Sequence, residues 1–397
     1  MRSPTGSRTR LLVVAPFLPS CHGTVTSIRA LVGMGLAEFF DVTYFDPGGK
    51  SPRGSASPTV WSFCLQWVRF IWLLLQKHPR LVYVVLSHRS KELFREGLLI
   101  LTARLLGAQV VAHLRGAQLV EWYEARFFPV QAVVHGIFGM IHLGIVPGES
   151  LKSFYSRLIS EAKLAVVPNG VDDIEPRVRN REGTQPRPWR ILHLNFLDKA
   201  KGSLVLLAAI PSVLRHRTDV EFVFAGSWMH PDQEQQARDY VEQHNLERHV
   251  QFTGEVVGTE KQRLFQSADL FVFPGIGQEG QPLVVLEAMA SGLPVVYTDR
   301  GCLRETVVDG EAGVEAYTND PYDLAVKMCD LLDRPHEMAR LGLNARIRYR
   351  SYFTQDRYTS QMIRVLVEAV GQPPAAPAAL VIESSERQVS SPGSGLG

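Results

Sequence analysis

Two glutamates stand eight positions apart in residues 274–296, PGIGQEGQPLVVLEAMASGLPVV: Glu279 in a Gly-rich loop and Glu287 in the apolar stretch that follows. Between Pro282 and Gly292, Glu287 is the only charged residue. An ionised carboxylate on an otherwise apolar helix is costly to bury unless something polar satisfies it, and a ligand hydroxyl is a natural candidate. Ala288, Ala290 and Gly292 leave space for such a ligand. Pro282 stands at a favourable first helical position, and a helix beginning there turns unpaired N–H groups outward, a setting that favours phosphate. The chemistry on offer is recognition of hydroxyl and phosphate groups. Spacing alone also fits a solvated charge pair, so the surrounding pattern has to decide.

These residues need a scaffold. In the first half, short β-branched and aliphatic runs at 11–15, 42–45, 81–86, 109–114, 140–146 and 164–167 alternate with longer stretches of helical spacing. Residues 91–106 are such a stretch, with Leu93, Phe94, Leu98, Leu101 and Leu105 forming an apolar stripe. The pattern breaks at 168–172, PNGVD, and in the polar, Pro- and Arg-rich residues 173–188, a composition suited to an exposed connection. A second series follows, with strands at 190–194, 220–225, 250–253, 270–273 and 294–298 and helices beginning near Ser203, Asp232, Thr259 and Pro282. Such alternation implies parallel sheets covered on both faces, so the expected class is α/β, with two doubly wound halves facing each other across a cleft. Ligands of open sheets lie beyond the carboxyl ends of the strands, where the loops carry the function. The expected divisions are 1–170, 171–350, a helix over 351–370, and a tail over 371–397 with too few large apolar residues to stay ordered.

A chain of 397 residues is long enough for two or three domains, and 45% hydrophobic with 21% charged residues is an ordinary globular composition. Basic residues number 42 and acidic residues 40, a net +2 that lacks the positive field nucleic-acid binding requires. Cys21, Cys64, Cys302 and Cys329 are scattered without metal or disulfide spacing, which points to a reducing, cytoplasmic setting. Arg2, Arg8 and Arg10 precede an apolar run, but Pro16 and Pro19 interrupt it, so a buried strand is expected there and not a secretory signal. Residues 61–75, WSFCLQWVRFIWLLL, are strongly apolar yet too short to span a bilayer. With Trp61, Trp67, Phe70, Trp72 and Arg69, and with Lys77 and Arg80 close behind, they read either as a core helix or as an amphipathic helix in peripheral contact with a membrane.

The order P-x4-E-G-x-P-x4-E-A-x-A-x-G-x-P-V-V, from Pro274 to Val296, resembles the nucleotide-sugar site of the retaining glycosyltransferases of family four, the glycosyl transferases group 1, whose GT-B fold is two facing Rossmann-like domains. Further pieces match in order: 167–172, VPNGVD, is similar to the family's junction element; Lys201-Gly202 is similar to its "KG"; and 298–313, TDRGCLRETVVDGEAG, resembles the stretch after the second glutamate, with Glu305 in its "E-x-V" position. The resemblance is clear over 165–350 and weaker before it, in the half that holds the acceptor. It implies Glu279 and Lys201 as catalytic residues, with donor contacts from Gly23, Thr24, Asn195, Gly202, Gly280, Gln281, Pro282, Leu283 and Glu287. His113 and Arg115 are acceptor-side candidates. An ammonium beside the helix opening at Ser203 would stabilise the charge of a departing diphosphate more in the transition state than in the substrate.

The chain departs from the family pattern in three places. Asn195-Phe196-Leu197 stands where an arginine is usual, leaving Arg300 or Arg263 as candidates for the second cation. Arg115 occupies the usual position of a histidine, and the first loop offers Gly23 alone where paired glycines are common. There is no Asp-x-Asp at a strand end, since Asp172-Asp173 lies in the connection, so no metal and no cofactor are expected. The implied reaction carries a sugar from a UDP- or GDP-sugar to a hydroxyl of a glycan or lipid-linked glycan, with retention and without a covalent intermediate. The alternatives are an epimerase of the same fold and a non-catalytic sugar-nucleotide binder.

Overall fold

The computed structural model describes residues 8–15, 31, 35–47, 60–86, 90–176 and 187–371. Gly23 and Thr24, and the tail from residue 372 on, lie outside them. Six strands build the first sheet: β1 (Thr9–Val14), β2 (Phe40–Phe45), β3 (Leu81–Leu86), β4 (Gln109–Leu114), β5 (Leu143–Val146) and β6 (Leu164–Val166). Their order is β2-β1-β3-β4-β5-β6, every pair parallel. The second sheet comprises β7 (Trp189–Leu194), β8 (Val220–Ala225), β9 (Val250–Gly254), β10 (Leu270–Phe273), β11 (Val295–Thr298) and β12 (Gly313–Ala316), in the parallel order β12-β11-β10-β7-β8-β9.

The strands read as continuous apolar runs because both faces are covered. Successive side chains alternate, so Leu12 and Val14 pack on one side of the first sheet while Leu11 and Val13 pack on the other. In the second sheet Ile191, Phe222 and Val272 face helices Ser203–His216 and Pro321–Leu332, and Leu192, Val223 and Phe271 face helices Leu283–Ala290 and Pro335–Tyr352. The last helix, Gln355–Ala369, returns to the first sheet: Tyr358, Met362 and Leu366 are buried against Leu11, Val13, Leu81 and Tyr83. Periodicity marks that helix but not which sheet it joins.

Several elements differ from the sequence reading. The strand expected at 140–146 shrinks to Leu143–Val146, because helix Phe128–Gly139 runs up to Met140, which caps it with helical φ/ψ. The unanticipated β12, GVEA, is short and poor in β-branched residues, and it is held by its parallel register with β11. In helix Ser90–Leu105 the inward face is Leu93, Glu96, Ile100 and Ala103, whereas Phe94, Leu101 and Leu105 of the apolar stripe are exposed.

The fold places the functional loops at a fork. β7 and β10 are neighbours from which the chain departs to opposite sides of the sheet, and the loops after them diverge into a crevice. Gly202 closes the first of these loops with φ +79, and a Cβ there would overlap the Pro274 carbonyl oxygen of the second. Gly202→Ala therefore combines left-handed strain with a backbone clash and should cost about 2 kcal/mol or more, read as a lowered denaturation midpoint. An unchanged midpoint would show that the two loops do not pack as described.

Candidate active site

The loop after β7 is a tight turn built around Asp198. Its carboxylate accepts from the backbone N–H of Lys201 (2.6 Å), and its carbonyl accepts from that of Ser203 (3.2 Å), the first residue of helix Ser203–His216. The carbonyl of Ala200 accepts from the N–H groups of Ile276 and Gly277 (both 2.9 Å), tying this turn to the loop after β10. Beneath them His193 is fully buried, with Nδ1 at 3.0 Å from the Val272 carbonyl and Nε2 at 3.0 Å from Ser203 Oγ. Burial lowers its pKa to about 4, so it is neutral at ordinary pH and pins β7, β10 and the helix start by hydrogen bonds.

This double loop brings Lys201 and Glu279 together. Lys201 Nζ donates to Glu279 Oε1 at 2.5 Å, with the carboxylate side chain 9% and the ammonium side chain 24% exposed. Burial raises the Glu279 pKa; the charge and hydrogen bond of Lys201 oppose that rise, and Asp198 adds to it. Glu287 is handled similarly by a residue the sequence reading did not single out. Lys261, on helix Gly258–Ser267, places Nζ 2.7 Å from both carboxylate oxygens of Glu287. Burial again raises the carboxyl pKa and the lysine counters it. Lys261 thus satisfies Oε1 from within the protein, while Oε2 is buried without a hydrogen-bond partner. A lysine on a polar helix carries no distinguishing sequence signal, so only the packing reveals it.

The other expected donor residues cluster around this pair. Gly280 follows Glu279 and packs against the Arg115 carbonyl so closely that a Cβ would overlap it, which places the Glu279 loop directly against the first domain. Gln281 is buried and bridges the domains: Oε1 accepts from Asn169 N–H (2.7 Å), its carbonyl accepts from Asn169 Nδ2 (3.0 Å), and Nε2 donates to Thr306 Oγ1 (3.0 Å). Pro282 caps helix Leu283–Ala290, and Leu283 opens it. Asn195 turns inward on its own loop, its Oδ1 accepting from Phe196 N–H at 2.9 Å.

Other candidates lie elsewhere. His113, fully buried at the end of β4, bonds through Nδ1 to Tyr83 OH (2.6 Å) and presents no surface to the cleft; burial and then Arg115 push its pKa well below the usual histidine value. The Arg115 guanidinium lies near Tyr358 on the returning helix, where its charge opposes the rise that burial gives the Tyr358 hydroxyl pKa. Of the two substitute cations, Arg263 is exposed on helix Gly258–Ser267, whereas Arg300 is half-buried in the loop after β11 with its Nε buried and unpaired.

Residues 175–348 match the family model described as Glycosyl transferases group 1. The chain is 30% identical over 240 residues to the phosphatidyl-myo-inositol mannosyltransferase of Mycolicibacterium smegmatis, an alignment covering 59% of this chain and 60% of that protein. It is 29% identical over 227 residues to spore coat protein SA of Bacillus subtilis, covering 56% of this chain and 57% of that protein. It therefore spans less than two thirds of the length of either relative. Among solved structures, sucrose-phosphate synthase from Thermosynechococcus elongatus superposes with a TM-score of 0.74 at 18% identity, covering 92% of this chain and all (100%) of that one. HepE of Anabaena, solved with UDP and glucose, gives 0.70 at 16% identity, covering 91% and 100%. These likenesses and the two six-stranded sheets show the fold to be GT-B, two Rossmann-like domains.

The electrostatics make a signed prediction. A carboxyl whose folded-state pKa is raised binds protons more tightly when folded, so its contribution to stability falls as pH rises from the unfolded value through the folded one. Lys201→Met removes the opposing charge from Glu279 and raises that pKa further. The variant should therefore lose more melting temperature relative to wild type at about pH 7.5 than at about pH 5. An equal loss at both would disprove the coupling.

Proposed function

We propose that this protein is a glycosyltransferase that moves a hexosyl unit from a UDP- or GDP-sugar to a hydroxyl acceptor, retaining anomeric configuration and requiring no metal. The observation that carries the reading is the contact between Lys201 and Glu279 at the fork of β7 and β10, with Glu287 half-buried on the helix that follows. Lys201 stabilises the diphosphate as it leaves. Glu279 orients hydroxyls of the sugar, and Glu287, held by Lys261, accepts hydrogen bonds from the ribose diol. The bond from the anomeric carbon to phosphate breaks, the bond to the acceptor oxygen forms on the same face, and the acceptor proton passes to the departing phosphate oxygen. Positioning and charge stabilisation suffice for this displacement. The match to the Glycosyl transferases group 1 model and the mannosyltransferase activity of the Mycolicibacterium relative support it.

The acceptor in this reading is a glycan or lipid-linked glycan met at a membrane surface, as in polysaccharide or glycolipid assembly. Helix Val60–Lys77 buries Trp67, Phe70, Leu73 and Leu74 to varying degrees, yet also exposes Trp61, Leu65, Val68, Trp72 and Leu75, spaced by fours and threes along one outer face. Trp61 is 72% and Trp72 59% exposed. The helix has no acidic residue, and Arg69 and Lys77 are exposed beside the apolar row. Trp67 Nε1 donates to Thr102 Oγ1 (3.0 Å), docking it onto helix Ser90–Leu105, where Leu101 and Leu105 extend the exposed apolar surface. Aromatic and aliphatic side chains rimmed by cations suit an anionic interface. Among the described residues no helix is long and apolar enough to cross a membrane.

Two measurements test these readings. A thermal-shift screen of UDP, GDP and ADP and their sugars should raise the melting temperature with one base, and Glu279→Ala or Lys201→Ala should lower sugar transfer about 100-fold or more. Donor binding without turnover on any acceptor would favour a non-catalytic binder. Vesicles containing anionic lipid should sediment the protein at low salt, and Trp61→Ser with Trp72→Ser should release it; wild type that stays in the supernatant removes the membrane contact.

A further inference from the structure

We propose that Glu305 is a positioning residue that clamps the first domain onto the donor loop. Helix Leu303–Val307 lies just after the segment in which Cys302 N–H donates to the Gly280 carbonyl (2.9 Å), so its mount is the loop that carries Glu279. Its other side is fixed to the second domain by Arg348, whose Nη2 donates to the Glu305 carbonyl (2.6 Å) and whose Nε donates to that of Thr306 (2.7 Å). From this mount the Glu305 carboxylate reaches across to the first domain. Oε2 accepts from the N–H of Glu149 (2.9 Å) and Oε1 from that of Ser150 (3.0 Å), so both oxygens are engaged by backbone donors.

The fit is steric as well as polar. Gly148 is extended, with φ −168, so an alanine there would be free of backbone strain, yet its Cβ would overlap Glu305 Oε1 and Cys302 Sγ. Cys302 is itself buried with the hydrophobic core of the first domain. Thr306, next to Glu305, receives a hydrogen bond from Gln281, which also holds Asn169 at the domain junction. Glu305 and Gln281 thus grip the first domain at two places, on either flank of the Glu279–Gly280 peptide. Losing the Glu305 contact frees the first domain on one flank and loosens the loop that orients Glu279. Lys201, Glu279 and Glu287 all stand on the second domain, so donor affinity should survive while the assembled geometry does not.

The kinetic part of this inference rests on the glycosyltransferase reading, and the structural part is independent of it. In Glu305→Ala, hydrogen exchange at the Glu149 and Ser150 amides should accelerate at least about tenfold, with the radius of gyration from small-angle scattering increased. Donor affinity should stay within about twofold while kcat falls about 10- to 100-fold. Glu305→Gln, whose amide oxygen can still accept from one of the two N–H groups, should recover part of both effects. Gly148→Ala attacks the same contact from the first domain and should reproduce the alanine variant if Glu305→Ala fails to fold. Unchanged exchange at Glu149 and Ser150 in both variants overturns the clamp. Faster exchange with unchanged kcat overturns its coupling to transfer. Wild type that exchanges as described but transfers no sugar refutes the reaction and leaves the clamp standing.

Discussion

A carboxylate and an ammonium withdrawn from water each need the other, and the pairing of Lys201 with Glu279 sets the conditions for the rest of the second domain. The pair exists because two loops that leave adjacent parallel strands in opposite directions are cross-tied through Asp198 and the Ala200 carbonyl. Neutral His193 sits under that tie, and Gly202 permits the approach of the two backbones. The same economy governs Glu287 and Lys261 a short distance along the chain. Two acids placed in apolar surroundings are each met by one flexible cation.

Local patterning carried the scaffold well. Parallel strands buried on both faces give continuous apolar runs, so β3, β4, β8 and β10 coincide with the runs seen in sequence. What failed was information that only tertiary packing supplies. β12 has little strand character of its own and exists through its register with β11. The stripe of Phe94, Leu101 and Leu105 has the periodicity of a buried face but looks outward, because both sides of the helix are apolar and periodicity cannot say which one meets the sheet.

The candidate site divides along the same line. Glu287 stood out as an isolated acid in an apolar run, whereas Glu279, Lys201 and Gly202 stood out through the resemblance of their segments to the group 1 pattern. Lys261, Gln281 as a bridge to Asn169, and the reach of Glu305 to Glu149 and Ser150 depend on residues more than a hundred positions apart or on a featureless polar helix. His113 shows the converse. Its type suggested chemistry, but its place at the end of a central strand puts it in the interior, bonded to Tyr83.

The returning helix Gln355–Ala369 has a bearing on how the polypeptide is made. Tyr358, Met362 and Leu366 complete a hydrophobic layer whose other wall is Leu11, Val13 and Tyr83, so β1 waits for a helix made long after it. On a ribosome the opening half emerges with that layer uncovered throughout synthesis of the other half. Contacts of such long sequence separation form slowly, which leaves the nascent first sheet reliant on whatever shields its greasy side until that helix emerges.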